Sequence, residues 1–448
     1  MRCVRRLFFL GAVLLCCTPP GVQAADAPEE PETDPLRERA AADDPQAQLE
    51  LGFSYFQGIG RKTDATRAAY WFDRAARHGL PQAQYNLALC CQEGLGAEFN
   101  RHRAFELLQQ AAKQELPEAQ LLLADYYLTG VTAEPDAKPP RSAIPPDFPA
   151  GLALLRKLAA ANHVAAQRNL ALALLRHPEP DIREHSLPEA VRLLTLAAAA
   201  DDPAAMLKLA DLYLTGIGVP RDEQKMLALL RRTAAQNVPE AQAKLGYALE
   251  CGLGTQPDAQ QAFAFYTQAA AAGLPMAQAR LANYYLNGRA TAQDIPRALE
   301  LYRQAAQAGD PVALAKLGQC YRDGTGVEPN PEQAFGLLLA AAKKDHPEAQ
   351  YLVAQCFQNG SGTPRDFEAA FYWYRQAAFR HEPRALLEVG RCYLEGSGTA
   401  IDYEQAETYL VTALENGMND ARPLLERARN RMAVPTAQPT PALQLRNR

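Results

Sequence analysis

A 36-residue frame recurs along this chain, beginning at Pro45 and again at Pro81, Pro117, Pro203, Pro239, Pro275, Pro311, Pro347 and Pro383. A fixed period of that size limits the fold more than any composition does. One unit is too small to bury its own apolar face, so neighbours must stack and share a core. Residues 311–346 show the unit plainly. Ala313, Leu317, Gly318 and Tyr321 fall on one face of a helix. Proline suits its first position, where the missing N–H would be unpaired anyway. Gly324 and Gly326 end that helix, Asn330 caps a second, and Ala334, Leu337, Leu338, Ala341 and Ala342 give the second its apolar side.

The other copies keep the same positions. The third is Ala47, Ala83, Ala119, Ala166, Ala205, Ala241, Ala277, Ala313, Ala349 and Ala385. The seventh is Leu51, Leu87, Leu123, Leu170, Leu209, Leu245, Leu281, Leu317, Val353 and Val389, always followed by Gly or Ala. The cap of the second helix is Asp64, Asn100, Asp222, Asp258, Asp294, Asn330, Asp366 and Asp402 in the regular copies. Small residues where helices cross, with large ones between them, describe close-packed helix pairs. The expected fold is all-α: an α/α solenoid (superhelix) of about ten helix-turn-helix repeats with capping helices.

The pattern Ala–x3–Leu–Gly/Ala–x2–Tyr–x2–Gly–x–Gly, then Ala–x2–Trp and a closing Ala–Ala, resembles the Sel-1-like repeat, a branch of the tetratricopeptide-type solenoids. The resemblance covers residues 45–418. It implies protein–protein contacts as the usual activity, with the first helices lining a concave side. Some cysteine-rich exported relatives are described as penicillin-binding or β-lactamase-like, a chemistry that usually wants Ser-x-x-Lys. No serine here has a lysine three residues on.

Residues 1–24 have the build of a secretory signal. Arg2, Arg5 and Arg6 precede an apolar run over 7–17, and Val22, Gln23 and Ala24 offer a small-residue cleavage site. The run is shorter than the roughly 20 residues a bilayer-spanning helix needs. A lipid anchor would use Cys16 or Cys17, but Leu15 precedes one and a cysteine the other where a small residue belongs. Cleavage removes three arginines and no acid, moving the net charge from −5 to −8. That balance argues against nucleic-acid binding.

Residues 25–44 read as an acidic linker and an N-terminal cap beginning at Leu36. Residues 45–418 form the array, 419–432 a C-terminal capping helix, and 433–448 a disordered tail. The array is broken twice. An insertion at 131–149 carries six prolines, and the irregular copy 164–202 replaces the glycine turn with a charged connection at 177–188. Both leave their repeats at equivalent points and are expected to project from one edge. His177, Glu179, Asp181, Glu184 and His185 lack helical ligand spacing, so no metal site is assigned there. Trp71 shares its repeat position with Trp373 and is read as core.

Six cysteines remain beyond the signal: Cys90, Cys91, Cys251, Cys320, Cys356 and Cys392. The last three share one place in successive repeats. Packed helix axes lie about 8–10 Å apart, whereas a disulfide needs Cα atoms within roughly 7 Å. Buried reduced thiols are therefore expected. The pairs Gly216–Gly218, Gly252–Gly254 and Gly360–Gly362 follow helices rather than strands, so they are turns and not a dinucleotide fingerprint. No catalytic residue, cofactor or metal is assigned, and the chain is read as a non-enzyme.

The functional expectation is an exported protein–protein interaction scaffold or regulator of the cell envelope, in the periplasm or secreted. The alternatives are a lipid-anchored assembly factor or an enzyme of the β-lactamase-like, penicillin-binding type. Partners are expected to be proteins or peptides with acidic segments. The expected docking residues lie on the first helices. Position six gives Lys208, Lys244, Arg280 and Lys316 in four successive copies, and position nine gives Asp211, Tyr247, Asn283 and Gln319. Cationic heads beside amides suit acidic peptides and chain termini. Glu240 and Asp211 nearby reduce the positive excess.

Overall fold

A computed structural model describes residues 34–133 and 141–433. The expected signal, most of the expected acidic linker, residues 134–140 of the insertion and residues 434–448 of the expected tail lie outside the described residues. Among the described residues there are 23 helices and no strand, and one isolated antiparallel bridge joins Val131 and Ile144. The helices form two compact units, residues 34–229 and 230–433, described separately below.

In nine of the ten copies the first helix opens on proline and closes on glycine; Val164–Leu175 of the irregular copy does neither. Pro311–Asp323 is typical: the Asp310 side chain accepts from Ala313 N, and Gly324 takes φ +71° to end the helix. In the eight regular copies the second helix begins at the residue expected of it. Asp64, Asn100, Asp222, Asp258, Asp294, Asn330, Asp366 and Asp402 each accept from the backbone N–H three residues on, at 2.8–3.0 Å. Such caps satisfy donors that the helix cannot pair internally.

Packing follows the repeat frame. All ten position-three alanines have no exposed surface, and no position-seven residue exceeds 5% exposure, so this face is the inner seam of both units. Position eight must stay small because a large side chain of the second helix lands on it. A Cβ added at Gly318 would lie 2.9 Å from Leu338 Cγ. The second turn glycine is held by a different neighbour, the preceding copy. At Gly362 an added Cβ would lie 2.0 Å from the Pro331 carbonyl oxygen, where the preceding second helix begins.

A buried glutamine at position four adds a polar stitch. Gln48, Gln120, Gln167 and Gln350 each donate Nε2 to a carbonyl at the end of the preceding helix, namely Ala40, Ala112, Ala159 and Ala342, at 3.1–3.5 Å. Gln84, Gln242 and Gln278 instead donate to Gln110, Gln268 and Gln304 on the second helix of their own copy.

In the first unit, the helix Pro35–Ala41 packs against Pro45–Gln57. Its capping residue Asp34 is paired at 2.9 Å with the buried guanidinium of Arg61, which also donates Nε to Ser54 Oγ. The insertion is tied down at several points. Val131 and Ile144 exchange backbone bonds of 2.8 and 2.9 Å, His102 Nε2 lies 2.6 Å from the Ser142 carbonyl, and Asp147 caps Phe148–Ala160. The charged connection contains a short helix, Pro180–His185, preceded by a buried His177 whose ring meets Phe148 edge-on at 5.3 Å. The two irregular connections therefore touch. Their histidines face backbone: Glu179 N donates to His177 Nδ1, and His185 Nδ1 lies 2.7 Å from the Asp181 carbonyl. Among the described residues no cluster of three His, Cys, Asp or Glu side chains is placed to hold a metal.

The second unit carries the helix pairs of residues 239–418 and ends on the helix Ala421–Ala433. Trp71 in the first unit and Trp373 in the second are half-buried and pack on the cores of their units. Five of the six described cysteines are buried and none is paired, but Cys251 is exposed, contrary to the expectation for it. Its place at the end of Pro239–Cys251 lies beyond the apolar seam. Burial pushes the Cys90 and Cys392 thiols up to about 12 and raises those of Cys91, Cys320 and Cys356. No described helix is long and apolar enough to cross a membrane.

Candidate partner-binding face

The position-six cations stand on the first helices, one copy apart. Lys208 is half-buried on Pro203–Thr215 in the first unit, with Asp211 one turn on. Lys244, Arg280 and Lys316 belong to the second unit, on Pro239–Cys251, Pro275–Asn287 and Pro311–Asp323. Their side chains are 27, 39 and 28% exposed, so each stem is covered while its head reaches solvent.

Each of these three heads already faces an acid. Lys244 lies 3.7 Å from Glu240 on its own helix, the pairing its spacing suggested. The other two acids come from neighbouring copies. Arg280 stands 3.8 Å from Glu250 of the copy before, and Lys316 is 3.3 Å from Glu348 of the copy after. Burial works to raise the Glu348 carboxyl, but Lys316 and Gln319 outweigh it and hold that carboxyl below the usual range. The face is thus closer to charge balance than a row of bare cations.

The position-nine residues are positioned by side chains around them. Asn283 Oδ1 accepts from Tyr302 OH at 2.6 Å, and Gln319 Oε1 accepts from Lys316 Nζ at 3.1 Å. Tyr247 is 42% exposed, and the Arg280 guanidinium lies over its ring, 5.2 Å from the centroid. A hydrogen bond with Cys251 pushes the Tyr247 phenol up. Beyond these, the face includes Glu250, Arg289 and Tyr284, which the residue spacing did not single out. Arg289 lies inside the turn where this copy departs from Gly–x–Gly, and that departure was the available signal: Ala290 takes φ +59° where the other regular turns place glycine.

A family model described as "Sel1 repeat" matches ten successive segments between residues 45 and 418. The chain belongs to the Sel1 repeat family. This Sel1 repeat protein is similar to the crystal structure of a protective antigen of uropathogenic Escherichia coli displaying an SLR fold. The identity is 27% over 88% of this chain and 82% of that one, with a TM-score of 0.60. It is also similar to a Sel1 repeat protein from Oxalobacter formigenes, at 28% identity over 52% of this chain and 95% of that one, TM-score 0.48. An immunity protein from Pseudomonas aeruginosa aligns at 23% identity over 48% of this chain and 81% of that one, TM-score 0.35. No curated protein matches the chain.

Proposed function

We propose that this Sel1 repeat protein is an exported, non-catalytic scaffold that holds a segment of another cell-envelope protein against the first helices of residues 239–346. The observation that carries this reading is the regular presentation of Lys244, Arg280 and Lys316, each partly exposed beside Tyr247, Asn283 or Gln319. Such a row offers charge at intervals and amide groups for a bound backbone, while the second helices and small residues fill the core. Export rests on the basic start, apolar run and small-residue site of residues 1–24.

Capture from the native envelope with wild-type protein and with a Lys244→Glu, Arg280→Glu double variant tests the reading. Wild type should retain a principal partner that is lost as salt rises, because exposed charges are screened. The double variant should lose that partner and keep its helical circular dichroism. Equal capture by both proteins at the same salt would remove this face from the binding. Mass spectrometry of the mature N-terminus tests export: a chain beginning at Ala25 is expected, and an intact Met1 contradicts it.

A further inference from the structure

Where the copy 239–274 meets the copy 275–310, two guanidinium groups, one carboxylate and three phenols converge. Glu250 accepts from Tyr266 OH and from Arg289, both at 2.8 Å, while Arg280 stands 3.8 Å from its second oxygen. The Arg289 guanidinium also lies over the Tyr284 ring, 5.2 Å from the centroid. Two cations against one acid leave one positive charge in excess, and the more loosely held cation is Arg280. Glu250 is 15% exposed, against 39% for Arg280 and 46% for Arg289, so the surplus faces outward.

The Tyr284 hydroxyl is the second observation. Tyr284 is 2% exposed, and its buried oxygen has no hydrogen-bond partner among the described residues. Four other buried phenols are each satisfied by a side chain of a first helix: Tyr126 by Gln92, Tyr266 by Glu250, Tyr302 by Asn283 and Tyr374 by Gln358. A buried O–H without a partner costs free energy and calls for an explanation. Burial and then Glu250 push the Tyr284 phenol up, with Arg289 and Arg280 opposing, so the group remains a neutral donor close to both guanidinium groups.

We propose that Arg280, Arg289 and Tyr284 form a binding site for a single carboxylate of the partner segment. The carboxylate enters beside Glu250 and engages the loosely paired Arg280; it accepts from the buried Tyr284 hydroxyl once the exposed Arg289 head, which lies over that ring, swings aside to meet it. One excess positive charge matches a monoanion. A phosphate dianion would meet Glu250 with charge to spare, which disfavours it. Exposed Tyr247, stacked under Arg280, forms the outer wall. The site rests on the reading of the first-helix face as the docking surface, and it adds what that surface recognises.

The test uses the mature full-length chain and three N-terminally labelled probes in fluorescence anisotropy: hexaalanine with a free C-terminus, the same peptide as its amide, and hexaglutamate amide. Saturable binding of the free acid but not its amide assigns a chain terminus, and binding of hexaglutamate amide assigns acidic side chains. Arg289→Gln should weaken the bound probe about tenfold or more, as expected for a hydrogen-bonded charged group. Tyr284→Phe should weaken it several-fold while leaving the unfolding midpoint unchanged or higher, because it deletes a buried hydroxyl that nothing in the fold uses. Two outcomes overturn the site. One is that neither carboxylate probe binds better than alanine amide. The other is that Tyr284→Phe lowers the midpoint and spares binding, as for a hydroxyl satisfied by buried water alone. If the Lys244→Glu, Arg280→Glu variant still loses its envelope partner in either case, the carboxylate site falls and the scaffold reading stands.

Discussion

The copies at 117–202 and those at 239–418 differ in almost everything between their two helices and in almost nothing within them. The first pair carries a proline-rich insertion and a charged connection with its own short helix. The regular run uses a short glycine turn in copy after copy. Yet Ala119, Leu123, Ala166 and Leu170 are as buried as Ala313, Leu317, Ala349 and Val353. The seam between helices is therefore the conserved physical requirement, and the connection is free so long as it lies outside the seam. A long loop costs little extra closure entropy once the helices it joins are packed.

That comparison breaks first at the seam. Leu170→Ala in the irregular copy and Leu317→Ala in a regular one should each cost about 2–5 kcal/mol in denaturant unfolding. A much smaller loss for Leu170→Ala would mean that the irregular copy does not share the regular core. The turn comes next. Gly362→Ala forces a Cβ against the Pro331 carbonyl and should cost more than about 1 kcal/mol. Ala290→Gly goes the other way: relieving φ +59° should stabilise the chain by up to about 1 kcal/mol. If both variants destabilise, the strain assigned to Ala290 is wrong.

The caps sharpen the comparison further. Asp366→Ala in a regular turn and Asp147→Ala at the end of the insertion each remove one bond to an N-terminal N–H, at 2.9 and 3.0 Å, and should each cost about 1 kcal/mol. A silent Asp147→Ala would show that the insertion positions its helix without the cap.

The smallest expected effect is a pH slope at His346, whose Nδ1 accepts from Ala349 N at 3.3 Å. Burial holds this imidazole below its ordinary 6.5, with Lys316 acting the same way and Glu348, Asp310 and Glu382 opposing. Because the folded chain binds this proton less readily than the unfolded chain, the contribution is complete above about pH 6.5 and declines as pH falls below it. His346→Asn keeps a cap and removes the titration, so its stability should fall less between pH 7 and 5. Identical slopes would dismiss the effect.

Most of the fold was legible because it is written ten times. Ala at position three, Leu or Val at position seven and the Asp or Asn cap are local requirements, so each copy states them again. Position-four glutamine was passed over because a polar residue beside apolar ones reads as solvent-facing. Only its recurrence in seven copies, from Gln48 to Gln350, hints that it is buried. The binding face was legible in part. The cations and the Glu240–Lys244 pair follow from spacing along one helix. Glu250 and Glu348 answer Arg280 and Lys316 from other copies, and no spacing within a single helix reveals a partner that arrives from the next one.

The glutamine stitch has a mechanical side. Load applied to the ends of residues 239–418 passes through every seam in series, so the assembly is only as strong as its weakest joint. The joint entering Pro347 carries the Gln350 bond to Ala342 and the Lys316–Glu348 pair, whereas the joint entering Pro311 has Leu314 in the glutamine's place. Under tension the Pro311 joint should therefore yield before the Pro347 joint. A force trace in which Pro347 parts before Pro311 would contradict this, and a Leu314→Gln substitution should narrow the gap between the two rupture events.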